Sequence, residues 1–300
     1  MHDNKAMTRV LVLGAGGMLG HKVLQTLTSG HTAIGTLRGS ASDDPYHRIP
    51  MFRDGDVVGG VHADDWSTVT GAIDATKPEV VVNCIGVIKH RDTGDNPIAN
   101  ITVNALFPHR LAEHCGNLGL RMIHFSTDCV FNGRRGGYTE DDVSDAEDLY
   151  GRTKYLGEVA DRAGVLTLRT SLVGRELTVF GSLLEWFLAQ KGAVHGFRKA
   201  AFSGVTTNWM AALVASLIAE HPDLAGRYQV AGPRIAKFDL LHLFANAYHR
   251  GMKITPNDDF VLDRSLVGDR FAAATGIQPP SWEVMVAEMA GDPTPYEEWR

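Results

Sequence analysis

The hydrophobic positions change period along the chain, and the change divides it into two halves. Arg9–Leu13 is a short apolar run that ends in a glycine-rich turn, and Met18–Ser29 then sets Leu19, Val23, Leu24 and Leu27 at helical spacing before Gly30. Thr32–Leu37 and Val57–Val61 read as the next strands, with a helix over Ser67–Thr76. Val80–Cys84 is flat and apolar rather than alternating, as a strand covered on both faces requires. A long helix is predicted from about Ile98 to Gly119, with Pro108 an irregularity within it. Arg121–Ser126 is the next strand, Asn132–Asp148 a loop rich in glycine and acid, Tyr150–Ala163 a helix and Val165–Arg169 the strand after it. Repeated strand–helix units imply a parallel sheet with helices on both faces and right-handed crossovers. The expected fold is α/β, a doubly wound parallel sheet of the Rossmann kind.

Beyond Thr170 this regularity loosens. Helices are predicted near Gly181–Gln190, Asn208–Glu220 and Phe238–His249, and His221-Pro222, Gly232-Pro233 and Pro279-Pro280 mark turns. Residues 1–170 are therefore expected to form a dinucleotide-binding domain and 171–300 mainly a substrate-binding cap, with segments passing between the two.

Composition narrows the function classes. With 44% hydrophobic and 21% charged residues the chain reads as an ordinary soluble protein. A formal net charge of -6 argues against a nucleic-acid or anionic-membrane partner. No apolar run approaches transmembrane length, and residues 1–7 lack the apolar stretch of a signal peptide. Cys84, Cys115 and Cys129 are scattered, which argues against a disulfide framework or a metal site and points to a reducing cytoplasm. A homodimer fits the fold, although no stretch demands one.

The turn Gly14-Ala15-Gly16-Gly17-Met18-Leu19-Gly20 follows a strand and opens a helix, the context a phosphate-binding turn needs. Glycines let the backbone approach a pyrophosphate, and the helix start supplies N–H donors. The alternative is a tight turn that binds nothing. The second strand ends in Gly35-Thr36-Leu37-Arg38 without the acid that would bond an NAD ribose. Arg38, with Thr36, suits a 2′-phosphate and favours NADPH, with NADH still open; a solvated loop arginine is the competing role. Asp64 is placed where an adenine edge would lie, or in an exposed loop. Cys84, Ile85 and Gly86 end the strand nearest the switch point of the sheet, where small residues leave room for a cofactor. The Cys84 sulfur itself reads first as a plain core thiol, and Asn104 either bonds backbone near the site or satisfies its own helix.

Tyr150 and Lys154 stand four residues apart on one predicted helix and share a face. An ammonium beside a phenol lowers the phenol's pKa and makes it a usable proton donor or acceptor near neutrality.

The glycine turn, Ser126-Thr127-Asp128, Val130-Phe131-Asn132-Gly133, the Tyr150/Lys154 helix with Gly157-Glu158, and Leu168-Arg169-Thr170-Ser171 together resemble the extended short-chain dehydrogenases/reductases, most closely the dTDP-4-dehydrorhamnose reductase type. The resemblance covers roughly residues 8–175. It implies that Thr127, Tyr150 and Lys154 carry the chemistry, with the lysine on the nicotinamide ribose and the Thr127 hydroxyl on a keto oxygen. Ser126 is the rival for that hydroxyl. It also implies a nucleotide-sugar substrate, a 4-keto-6-deoxysugar reduced for cell-surface polysaccharide synthesis. Substrate-contact candidates are Lys89, Thr127, Asp128, Cys129, Leu172 and Arg175, the charged ones equally readable as solvated surface, like His90, Arg91 and Arg198.

Departures limit the substrate assignment. Cys129 stands where the family often has Tyr, Leu172 where it commonly has Trp, and Asp145–Leu149 lacks the usual Pro and Asn. An epimerase or dehydratase with bound NAD is the alternative, since Asp128 supplies the acid beside the catalytic hydroxyl that dehydratases need. A non-catalytic regulatory subunit is the third reading.

Overall fold

The computed structural model describes residues 7–88 and 95–299. Its centre is a sheet of seven strands: β1 (Arg9–Leu13), β2 (Thr32–Thr36), β3 (Val57–Val58), β4 (Val80–Asn83), β5 (Arg121–Thr127), β6 (Val165–Thr170) and β7 (Gly226–Gln229). Their order is β7-β6-β5-β4-β1-β2-β3, and every pairing is parallel. The direction of winding reverses between β1 and β4, so a ligand crevice forms at the carboxyl ends of those two strands.

Side-chain alternation builds a core on each face of the sheet. Val10, Val12, Val80, Val82, Ile123, Phe125, Leu166 and Leu168 enter one core. Leu11, Leu13, Val81, Met122 and Val165 enter the other. The helices are α1 (Gly20–Leu27), α2 (Trp66–Thr76), α3 (Phe107–Asn117), α4 (Leu149–Leu156), α5 (Leu183–Ala189), α6 (Thr207–Glu220), α7 (Lys237–Ala247), α8 (Asp269–Thr275) and α9 (Trp282–Ala290), besides short turns. Val23, Leu24 and Leu27 of α1 join α6 in the first core, while α2 and α3 cover the second.

Two helix expectations need correction. The long helix predicted from Ile98 is α-helical over Pro97–Asn100, widens to a π-turn over Ile101–Leu106, and resumes as α3. Pro108 has no N–H to return to Asn104, and the wider turn absorbs that lost bond. The Asn104 carbonyl then faces Gly157, where a Cβ would run into it. The Tyr150–Ala163 helix is shorter than expected: it ends at Leu156, with Gly157 as its cap. Glu158 leaves the helical path because the buried Arg169 guanidinium needs its carboxylate. Arg169 donates to Glu158 at 2.6 and 2.7 Å, Ser126 Oγ adds a bond at 2.6 Å, and Arg227 of β7 approaches at 3.2 Å.

The second half adds strands that periodicity did not announce. β7, which reads Gly-Arg-Tyr-Gln, extends the main sheet beside β6. Ile235–Ala236, Ala200–Phe202 and Leu262–Asp263 form a separate three-stranded sheet.

Arg169→Leu leaves Glu158 buried beside one partly exposed arginine. Urea denaturation is expected to show a loss of about 3–5 kcal/mol, against about 1 kcal/mol for Ser126→Ala. A loss for Arg169→Leu no larger than that for Ser126→Ala would contradict the central role of the pair.

Candidate active site

The glycine turn is fastened to the sheet before the helix begins. Gly14 takes a left-handed φ of +79°, its N–H donates to Thr36 Oγ1 at 3.1 Å, and Ala15 N–H donates to the Thr36 carbonyl at 2.9 Å. Thr36 is buried, so its hydroxyl serves the turn and not the 2′-phosphate expected of it. A Cβ at Gly20 would collide with the Gly14 carbonyl, and one at Gly14 would press on Ile85 and Cys84. The ends of β1 and β4 therefore meet across the crevice. The N–H groups of Gly16 and Met18 donate to no other described residue, which leaves them for an anion at the start of α1.

Gly86 follows, and beyond it Asn104 clamps the loop after β4. Its Oδ1 accepts the Val87 N–H at 2.9 Å and its Nδ2 donates to the Val87 carbonyl at 3.0 Å and to Asn100 at 3.1 Å. Asn104 thus bonds the backbone beside the crevice. Cys84 is a half-buried thiol whose pKa burial pushes up. Arg38 is exposed and unpaired among the described residues. Two residues on, a cavity of about 630 Å³ is lined by Ser40, Ala41, Ser42, His47 and Arg53. Arg53 is bound by Asp54, so the hydroxyls of Ser40 and Ser42 with the nearby Arg38 are the groups that suit a phosphate. Asp64 is exposed on the loop before α2, whose cap is the neighbouring Asp65.

The catalytic candidates converge where β5 ends. Thr127 Oγ1 accepts the Cys129 N–H at 3.1 Å, lies 3.2 Å from Asp128 Oδ1, and shares a hydrogen bond with the Tyr150 phenol. Gly151 permits this, because a Cβ there would strike the Cys129 carbonyl and push α4 away. Asp148 fixes the start of α4 by accepting the Gly151 N–H at 2.8 Å. Ser126, the rival hydroxyl, is engaged by Glu158 instead, so the geometry favours Thr127. Lys154 is buried and donates to the Phe125 carbonyl at 2.6 Å.

The electrostatics depart from the sequence argument. Burial pushes the Tyr150 phenol well above its ordinary range; Cys129, Asp128 and Asp148 add to the rise, and the Thr127 bond opposes it. Lys154 is not among the leading contributors to that shift. Burial lowers Lys154 itself to about 8, against the pull of Glu158. Desolvation outweighs the ammonium–phenol attraction here. Asp128 is raised by burial and held back by Arg264 and by bonds from Cys129, Thr127 and Ser171.

Two residues that the sequence did not single out complete the cluster. The three-stranded sheet delivers Arg264 to the turn, where it donates to the Phe131 carbonyl at 2.9 Å and lies 3.3 Å from Cys129 Sγ. The same sheet delivers Lys237 at the start of α7. Burial lowers its pKa, and Asp128 and Cys129 oppose that shift. Their strands are two residues long, too short for any periodic signal. Leu172 lies in a short strand paired with Val205–Thr206. Arg175 is taken up by Glu185, Glu297 and the Tyr296 ring, and Arg198 by Asp258. Lys89, His90 and Arg91 lie outside the described residues.

The family model for the RmlD substrate binding domain matches residues 7–204, more than half of the chain. The chain belongs to this family. Among its relatives, the probable low-salt glycan biosynthesis reductase Agl14 of Haloferax volcanii is 33% identical over 54% of this chain and 52% of its own length. The dTDP-4-dehydrorhamnose reductase of Mycolicibacterium smegmatis is 31% identical over 62% of this chain and 53% of its own. The chain thus matches about half the length of these relatives. The crystal structure of dTDP-4-dehydrorhamnose reductase from Bacillus anthracis in complex with NADP shares the fold, with a TM-score of 0.75 at 18% identity over 94% of this chain and 98% of that one.

Burial of Lys154 makes a measurable claim. With ¹³Cε-labelled lysine, one resonance is expected to titrate near pH 8, cationic below and neutral above, and to vanish in Lys154→Arg. Titration of every lysine near its ordinary value of about 10.4 would refute the desolvation argument.

Proposed function

We propose that the chain is an NADPH-dependent reductase of a nucleotide-linked 4-keto-6-deoxysugar, acting in cell-surface polysaccharide synthesis. The observation that carries this reading is the hydrogen-bonded Thr127–Tyr150 pair beside buried Lys154, at the end of the sheet that also presents the glycine turn. Relatives named as dTDP-4-dehydrorhamnose reductase support the substrate class.

The residues fit such a cofactor. Free N–H groups at the start of α1 suit a pyrophosphate, and Arg38 with Ser40 and Ser42 suits a 2′-phosphate, so NADPH is favoured over NADH. When bound, NADPH supplies the hydride. The chain handles the oxygen of the carbonyl. Thr127 O–H stabilises negative charge as it develops there, and the Tyr150 phenol delivers the proton. The raised phenol pKa keeps Tyr150 protonated and ready to donate. A cationic Lys154 steadies the tyrosinate that remains. Lys237 and Arg264 put positive charge beside Asp128, on the side from which residues 171–300 would close as a substrate-binding cap.

One observation favours a second reading. Asp128 is buried with a raised pKa next to Thr127, as the acid of a nucleotide-sugar dehydratase would be. Among the described residues no helix is long and apolar enough to cross a membrane. A cytoplasmic reaction belongs to this proposal, supported by cysteines at scattered positions, Cys84, Cys115 and Cys129, as a reducing compartment allows. Self-association as a homodimer is part of the same proposal: Ile98, Ile101 and Leu156 expose apolar side chains on packed neighbouring segments, and sedimentation velocity checks it.

Purified protein with NADPH and a panel of nucleotide 4-ketosugars should oxidise NADPH stoichiometrically. Sugar turnover without net NADPH loss would favour the dehydratase reading. Tyr150→Phe should lower kcat at least ~100-fold with NADPH affinity retained. The wild-type rate should fall as pH rises through about 8, where Lys154 loses its proton. Arg38→Ala should raise the KM for NADPH about tenfold and leave that for NADH unchanged.

A further inference from the structure

The segment Asp292–Trp299 crosses α1 and grips it at successive positions. Lys22 pairs with Asp292, their side chains only 6% and 5% exposed. The Lys22 ammonium also donates to Gln25 Oε1 at 2.6 Å and to Thr294 Oγ1 at 3.0 Å. The Tyr296 phenol lies 2.9 Å from Nε2 of the fully buried His21. Its ring also carries two cations, with Lys22 Nζ 5.8 Å and the Arg175 guanidinium 4.6 Å from its centroid. Arg175 in turn binds Glu297 of the same segment and Glu185 of α5.

The His21 ring leads on to the glycine turn. Its Nδ1 lies 2.9 Å from the Gly17 carbonyl. A carbonyl only accepts, so Nδ1 carries the proton, Nε2 presents its lone pair, and the Tyr296 O–H donates to it. The Gly17 carbonyl also accepts the backbone N–H of His21 at 3.1 Å. That carbonyl shares a peptide plane with the Met18 N–H, and in a trans peptide the two point in opposite directions. Drawing the carbonyl into α1 turns the Met18 N–H outward, where it has no partner among the described residues. Each bond in such a chain polarises the next, so a doubly bonded Gly17 carbonyl makes Met18 a stronger donor. Burial holds His21 down at about 4, which keeps the ring neutral and the relay intact near pH 7.

We infer that Tyr296 is a positioning residue for the cofactor turn: by donating to Nε2 it anchors the His21 ring, whose Nδ1–H on the Gly17 carbonyl sets the direction and donor strength of the Met18 N–H presented to the dinucleotide pyrophosphate. The inference rests on the cofactor role proposed above for the glycine turn. It gives the carboxyl-terminal segment a part in cofactor binding although it lies nearly 280 positions from the turn it serves (Gly17 to Tyr296). Loss of the phenol hydroxyl leaves the Nε2 lone pair buried without a donor and removes the bond that anchors the ring. The Nδ1–H bond to the Gly17 carbonyl is then less polarised, and the peptide plane is freer to tilt.

The test uses the full chain, ¹⁵N-labelled at histidine, with NADPH as the probe. Wild type should show the Nδ1–H tautomer at His21. Tyr296→Phe should keep a cooperative melting transition, retain the Nδ1–H tautomer while shifting the His21 Nε2 resonance downfield as its hydrogen bond is lost, and bind NADPH about three- to tenfold more weakly. Asn208→Ala is the comparison: it removes a bond to Asp292 of the same segment but touches neither Tyr296 nor His21. It should change the melting temperature yet leave NADPH affinity within about twofold. Unchanged NADPH affinity in Tyr296→Phe overturns the inference, as does an equal loss in Asn208→Ala, which would reveal general loosening. A wild-type chain that bound no NADPH at all would overturn the cofactor reading itself, and the inference with it.

Discussion

A guanidinium with no access to water must be neutralised where it stands, and Arg169 is such a group. Glu158 meets it with two short bonds, which obliges the chain to leave helix α4 at Gly157 and turn back to the sheet. Ser126 and Arg227 bind the same carboxylate, so β5, β6 and β7 are tied at one point. The Arg169 guanidinium also lies 5.2 Å from the Phe131 ring centroid, and Phe131 stacks on Tyr138 at 4.2 Å. The loop after β5 is thereby anchored as well. Tyr150 and Lys154 are held by a helix fixed at both ends: at Asp148 by its cap, and just past Leu156 by this ion pair.

Burial also governs the chemistry of the site. It raises Tyr150 and Asp128 and lowers Lys154 and Lys237, each in the direction that disfavours charge. A protonated phenol suits reduction, where a proton is given to oxygen. The lysine is poised near the pH at which its charge is optional, so its cationic form depends on nearby negative charge such as Glu158. The spacing of Tyr150 and Lys154 brought the groups to one helix face, while the surrounding protein set their protonation.

The second half of the chain reaches into the first at several points. α6 packs on α1, Arg264 reaches the Cys129 turn, and Asp292–Trp299 holds the helix that the glycine turn opens. The glycine turn and the Cys129 turn therefore share one scaffold. Arg175, a substrate candidate on charge alone, belongs to that scaffold, because Glu185 and Glu297 occupy its guanidinium.

Local pattern was enough for most of the Rossmann half. The limits of β1 follow directly from the apolar run, and β2, β4, β5 and β6 differ from expectation by single residues at their ends, because a strand covered on both faces is largely apolar. The glycine turn and the Thr127, Tyr150 and Lys154 positions were legible for the same local reason: turn, strand end and helix spacing lie within short stretches. Tertiary structure alone decided the rest. β7 is short and polar and is a strand only because β6 offers it bonds. α4 stops where Glu158 is claimed by a residue across the sheet. Arg264, Lys237 and Tyr296 gain their places from contacts between segments far apart in sequence, and no local period encodes such contacts. The direction of the pKa shifts at Tyr150 and Lys154 likewise depends on burial, which a sequence of residues does not contain until it is folded.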